Sequence, residues 1–165
     1  MTHIAILGQP PFSDALAALC RQAGHRAQIL DVEELAFGLP DSNHLFQFDV
    51  ILDCHHSLDR GEYLAMLGPL LPDDILYLAS TLNASATLIA ADLGLPRRVV
   101  GFGVLPPLQK GDVVEVARGL GSSDRAFQQA LAFWRSLGLE PIEVGSVELP
   151  PPRPELASAM LPRRP

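Results

Sequence analysis

The first 31 residues, "MTHIAILGQPPFSDALAALCRQAGHRAQILD", already limit what the chain can become. Residues 3–7, "HIAIL", form a short apolar run rich in β-formers and ended by Gly8, which predicts a buried strand. From Phe12 to Ala23 the apolar residues Phe12, Ala15, Leu16, Leu19, Cys20 and Ala23 recur at helical spacing, and Gly24 follows in a C-cap position. "RAQIL" (26–30) then reads as a second strand that stops at Asp31. A strand, a helix and a strand in succession make a crossover unit, which brings the two strands parallel in one sheet.

The alternation continues along the chain. "DVILDC" (49–54) is a third strand, "LDRGEYLAMLGPLL" (58–71) a helix with an internal glycine, "DILYLA" (74–79) a fourth strand and "SATLIAADLG" (85–94) a short helix. "RVVGFGV" (98–104) and "DVVEVAR" (112–118) are two more strands. "SDRAFQQALAFWRSLG" (123–138) is an amphipathic helix with Phe127, Leu131, Trp134 and Leu137 on one face, and "EPIEVGSV" (140–147) is the last strand. Residues 32–48 read mostly as loop, with at most one helical turn at "VEELA". The expected fold is α/β and Rossmann-like over residues 1–148: a mostly parallel sheet of six to seven strands, strand one inside it, helices on both faces. Residues 149–165 form a proline-rich tail, with six prolines between Pro150 and Pro165; only "PELASAML" (154–161) is suited to a short helix there.

Composition narrows the class of partner. Hydrophobic residues make up 48% of the chain, enough for a core, while 12 basic against 19 acidic residues give a net charge of −7. That balance argues against a nucleic-acid groove or an anionic membrane surface. Cys20 and Cys54 read as buried free thiols, and no apolar run reaches the roughly 18 residues of a membrane span. The expectation is a cytoplasmic protein that takes a nucleotide or another small molecule.

Sheets of this kind bind ligands outside the carboxyl ends of their strands. A dinucleotide-binding loop there follows the pattern G-x-G-x-x-G, which here falls on Gly8, Pro10 and Ser13, so one glycine of three is present. Pro10 and Pro11 carry no N–H for a phosphate, and Asp14 brings a carboxylate into the first helical turn. Asp31 sits 23 residues after Gly8, where a ribose-binding acid is expected. The candidate cofactor contacts are therefore Gly8, Gln9, Pro10, Phe12, Ser13 and Asp31, with Cys54 and Ser80 at the ends of strands three and four. In "DCHHS" (53–57), Asp53 and His55 point one way and Cys54 and His56 the other, so one strand end offers at most two convergent metal ligands and no metal site is expected. His55 and His56 remain the titratable groups nearest the crevice.

The later segments carry a more specific likeness. "DVILDCHHSLDRGEYLAMLGPLLPDDILYLASTLNAS", followed by "LPRRVVGFGVLPPLQKGDVVEVARGLGSSDRAFQQALAFWRSLGLEPIEVG", resembles the N-terminal NAD-binding domain of the 3-hydroxyacyl-CoA dehydrogenase family, over roughly residues 3–146. The resemblance implies a Rossmann-type fold, NAD as cofactor and oxidation of a 3-hydroxyacyl-CoA or reduction of the ketone. Residue by residue the implied machinery is incomplete. The family's catalytic histidine falls on Gly103 and its asparagine neighbour on Pro106, while Pro107 is retained; the glutamate that orients the histidine falls on Ser57. Ser80 is kept, Thr81 replaces an asparagine that contacts substrate, and Glu115 of "VVEV" is retained. The family's helical insertion after strand two is cut to a short loop, and the proline-rich tail stands where its C-terminal helical domain, which makes its dimer, would follow.

Three readings follow. The first is a Rossmann-type domain that holds NAD weakly or not at all and lacks the parent activity; no catalytic residue is then assigned. The second is an active NAD(P)-dependent oxidoreductase that uses other groups, with His55, His56 and Glu115 as candidates, or a partner chain. The third is a structural or interaction module whose apolar surface a homodimer or another partner would cover.

Overall fold

The computed structural model describes residues 1–32, 35, 42–56 and 60–145. Seven strands form one sheet: β1 (His3–Leu7), β2 (Arg26–Leu30), β3 (Val50–Asp53), β4 (Leu76–Ser80), β5 (Val99–Gly103), β6 (Val113–Arg118) and β7 (Glu140–Val144). Their order is β2-β1-β3-β4-β5-β6-β7. Every neighbouring pair is parallel except β5 with β6. The helices are α1 (Phe12–Gln22), α2 (Arg60–Leu67), α3 (Ala86–Leu93) and α4 (Asp124–Ser136). The expected α/β class, the mostly parallel sheet and the interior place of strand one all hold.

The two faces of the sheet bury separate cores, as the strand period of two requires. Ile4 and Ile6 of β1 pack with Leu16 of α1 and with Phe127 and Trp134 of α4. Ala5 and Leu7 face the other way, with Leu64 of α2 and Ile89 of α3. Strands β1, β3, β4 and β5 are apolar nearly throughout because both of their faces are covered. In β6, Val114 and Val116 are buried while Val113 and Glu115 are exposed, so the last strands are covered on one face only.

Helix ends follow their local chemistry. The Ser85 and Ser123 hydroxyls cap α3 and α4 by accepting the N–H groups of Leu88 and Ala126, at 3.2 and 3.1 Å. Helix α1 starts after Pro11 with no side-chain cap. Two expectations shift. Residues 42–47, read as loop, form a 3-10 helix (Ser42–Gln47), an element too short to show a hydrophobic period. The turn expected at "VEELA" is marked by one helical bond, from the Leu35 N–H to the Asp31 carbonyl at 3.1 Å. The third strand stops at Asp53 rather than Cys54, because the Asp53 carboxylate accepts the His55 N–H at 2.9 Å and turns the chain out of the ladder. The proline-rich tail from 149 onward and Ser57 lie outside the described residues. Among those described, no helix is long and apolar enough to cross a membrane.

The packing of α2 on α3 depends on Gly68. A Cβ built there would lie 2.0 Å from the Leu93 carbonyl oxygen, a backbone atom with no freedom to swing away. Gly68→Ala is expected to destabilise the fold by about 1–3 kcal/mol or more, the range for overpacking. Gly145→Ala, where a Cβ meets nothing within 4 Å, should leave stability unchanged. Urea denaturation of the two variants checks this.

Candidate functional site

The chain crosses from β1 to β2 on one side and then places β3 on the other side of β1, so the sheet has its switch point between β1 and β3. The two strand ends there are locked together. The Cys54 N–H donates to the Leu7 carbonyl at 2.8 Å, and Gly8 lies directly against Cys54. A Cβ at Gly8 would sit 2.5 Å from the Cys54 sulfur and 3.0 Å from its carbonyl carbon, and Gly8 has φ +145°. Gly8 is thus demanded by strand packing as well as by the turn. Cys54 is buried and its thiol is pushed up to about 12, mainly by loss of solvent. It is neither presented to a ligand nor nucleophilic at neutral pH.

On the β2 side of this point lies a pocket of about 430 Å³, where Gly8, Gln9, Pro10, Asp31 and His55 meet the ends of β2. Four loop and acid candidates from the sequence therefore share one concavity. Ser13 does not join them. Its side chain is fully buried with no hydrogen-bond partner for the hydroxyl, and its N–H is already taken by the Gln9 carbonyl at 3.3 Å. With Pro10 and Pro11 lacking an N–H, the loop keeps few free donors for an anion. Asp14 occupies the first turn of α1.

The β4 side is built differently. The His56 Nε2 lies 2.9 Å from the Ser80 hydroxyl, and its ring stacks on Phe12 with centroids 6.0 Å apart and planes 7° from parallel. Asn83 donates to the His56 carbonyl at 3.2 Å. Beneath them is a charged pair. The Asp53 carboxylate, fully buried, accepts from the Arg60 guanidinium at 2.7 Å and from the Tyr77 hydroxyl at 2.8 Å. Arg60 also donates to the Ser80 carbonyl at 3.2 Å. Burial, then the charge of Arg60, lowers the His56 pKa below the usual imidazole value. Burial and the Asp53 charge hold both Tyr63 and Tyr77 well above the usual phenol range. His55 and His56 thus part company: His55 lines the β2-side pocket with its ring 5.8 Å from that of Tyr63, and His56 joins Phe12 and Ser80. Arg60 and Tyr77 went unnoticed in the sequence. The available signal was Asp53 itself, an acid ending an apolar run, which must find a buried cation or donors.

Gly103, at the position the resemblance gives to a catalytic histidine, pairs across the antiparallel β5–β6 ladder with Glu115. The Glu115 carboxylate oxygen lies 3.1 Å from where a Cβ at Gly103 would be. The acid beside this position is therefore Glu115. Among the described residues no group of three or more His, Cys, Asp or Glu is placed to hold a metal ion.

Two outcomes follow from this geometry. Arg60→Met strands a buried carboxylate and is expected to cost about 3–5 kcal/mol, with part of the loss recovered by adding Asp53→Asn; chemical denaturation of the single and double variants reads it. A histidine whose folded pKa is depressed contributes stability that is full above its unfolded pKa, near 6.5, and is lost as pH falls through that value toward the folded pKa. The stability difference between wild type and His56→Gln should therefore shrink in favour of the variant between pH 7.5 and 5, as followed by urea titrations at each pH.

Comparison with known proteins agrees with this architecture. The family described as "3-hydroxyacyl-CoA dehydrogenase, NAD binding domain" matches residues 60–147. The fatty acid oxidation complex subunit alpha of Idiomarina loihiensis is 31% identical over 85 residues, which are 52% of this chain and 12% of that protein. The chain thus spans only a small part of that relative's length. The (S)-3-hydroxybutyryl-CoA dehydrogenase of Ralstonia eutropha superposes with a TM-score of 0.76 at 18% identity, covering 88% of this chain and 64% of its own. The 3-hydroxybutyryl-CoA dehydrogenase of Escherichia coli gives 0.76 at 19% identity, with 88% and 38% covered. A prephenate dehydrogenase from Aquifex aeolicus gives 0.67 at 15% identity, with 88% and 62% covered. The structural likenesses speak for the fold, and the match over more than half of the sequence speaks for descent: this chain belongs to the 3-hydroxyacyl-CoA dehydrogenase NAD-binding domain family.

Proposed function

We propose that this domain is a nucleotide-binding member of its family that holds a nicotinamide dinucleotide weakly and does not carry out the dehydrogenation of 3-hydroxyacyl-CoA. The observation that carries the reading is Gly103 at the end of β5, where the resemblance places the catalytic histidine. Removing a hydroxyl proton as hydride leaves requires a base at that place, and glycine has none. The ligand would supply hydride transfer. The residues fit one part of it and not another. Asp31, in the 430 Å³ pocket beside Gly8 and Gln9, suits ribose hydroxyls. The pyrophosphate would meet Pro10, Pro11, a Ser13 N–H already engaged and the Asp14 carboxylate.

A second reading keeps an oxidoreductase with His56 as acid–base group. It is favoured by the His56–Ser80 contact at 2.9 Å and by a lowered pKa that leaves the imidazole neutral near pH 7. A third reading, an interaction module that forms a homodimer, is supported by Val113 and Ile142, which are exposed on the face of β6 and β7 opposite α4. Light scattering of the purified protein measures that assembly.

Titration with NADH, followed by its fluorescence, and an absorbance assay with acetoacetyl-CoA test the first reading. Binding should be weaker than about 10 µM, with no turnover in the usual enzyme range of roughly 1–10³ s⁻¹. Pro10→Gly with Asp14→Ala should tighten NADH binding about tenfold or more, since one recovered charge-assisted hydrogen bond is worth roughly 1.5–3 kcal/mol. Adding Asp31→Ala should cancel the gain. Turnover that disappears in His56→Gln would establish the second reading instead.

A further inference from the structure

At the opposite end of the sheet from the nucleotide crevice is a second concavity, of about 450 Å³, bordered by the start of β5 and the start of α4. Three arginines line it: Arg97, Arg98 and Arg125. Arg97 and Arg98 immediately precede β5, and Arg125 is in the first turn of α4. The framework around them is fixed. The Arg98 Nε donates to the Asp73 carbonyl at 2.9 Å, which holds the guanidinium by one edge and leaves its outer N–H groups unassigned. The Arg97 carbonyl accepts both the N–H and the hydroxyl of Ser123, at 3.1 and 2.9 Å, tying the base of the concavity to the beginning of α4.

Among the described residues no ion pair holds any of these three arginines; the pairs there are Arg60 with Asp53, and Arg118 with Asp124 and Glu143. Asp124, the acid nearest them on α4, is held by Arg118 at 2.6 Å. Asp73 is the one acidic residue on the lining, against three arginines. Like charges gathered in one concavity raise the local potential, and an anion that bridges them relieves it. Arginine forks match phosphate oxygens in bidentate geometry.

We propose that this concavity is a binding site for a small, multiply charged anion of the phosphate or pyrophosphate class, separate from the nucleotide crevice. The size is that of a small-ligand site, about 300–1,000 Å³. The net negative charge of the whole chain opposes large polyanions such as nucleic acid or an anionic membrane. A small anion meets only the local field, because charges more than about 8 Å away are largely screened at physiological salt.

Calorimetry with inorganic pyrophosphate at about 150 mM salt tests it, on the full chain. Saturable binding with one site is expected. Arg97→Ala and Arg125→Ala should each weaken it about tenfold, and the pair about a hundredfold, as loss of charge-assisted hydrogen bonds predicts. Both side chains are exposed, so the melting temperature of the unliganded variants should not change. Arg135→Ala, an exposed arginine in the last turn of α4, should bind as wild type does, and NADH should not compete. Absence of saturable binding, equal weakening by Arg135→Ala, competition by NADH, or tighter binding of an acidic peptide than of pyrophosphate would each overturn the proposal.

Discussion

The structure around the crevice hangs on one buried charge. Asp53 ends β3 with its carboxylate wholly removed from water, a placement that costs several kcal/mol unless the charge is matched. Arg60 and Tyr77 match it, and the His55 backbone N–H completes the set. Because Arg60 also reaches the Ser80 carbonyl, the pair ties the carboxyl ends of β3 and β4 to the first residue of α2. The His56–Ser80 contact is built on that tie. The Asp53 carboxylate is matched on both oxygens, although the Arg60 Nε is buried without a partner, and any slip would leave a buried charge alone.

The second constraint is steric and acts at the neighbouring strand end. Gly8 is pressed on Cys54 so closely that no side chain fits between β1 and β3. The first glycine of a phosphate-binding pattern is often explained by the ligand; here the protein's own packing suffices to require it. That separates two parts of the loop. Gly8 is required by the fold, whereas the other two glycine positions of the pattern are held by Pro10 and Ser13. The same separation holds on β5 and β6, where strand pairing keeps Glu115 opposite residue 103 whatever that residue is.

Much of this was legible in the sequence for a physical reason. Strands buried on both faces must be apolar throughout, and "HIAIL" and "DILYLA" could be little else. Helices on the surface must be apolar on one side, and Phe127, Leu131 and Trp134 announce α4. Glycine stops are local interactions, so Gly94 and Gly138 marked the ends of α3 and α4 in the segments 85–94 and 123–138. The loop candidates Gly8, Gln9, Pro10 and Asp31 were found by spacing, which succeeds because a crossover unit has a nearly fixed length.

The likeness of whole segments pointed to the family; by itself, then, the local pattern of the sequence determined the order of strands and helices along the chain and the mostly parallel sheet they form. Those depend on period, caps and breakers, all set within a few residues. Only the tertiary structure decided which side chains meet. It joined Asp53 to Arg60 and Tyr77, brought His56 to Ser80 and Phe12, buried Ser13 and Cys54 away from the pocket, and set Glu115 beside Gly103. Such pairings join residues that lie on different strands and helices, and no local period encodes them. They are fixed by sheet register and by the cost of leaving a buried charge unmatched.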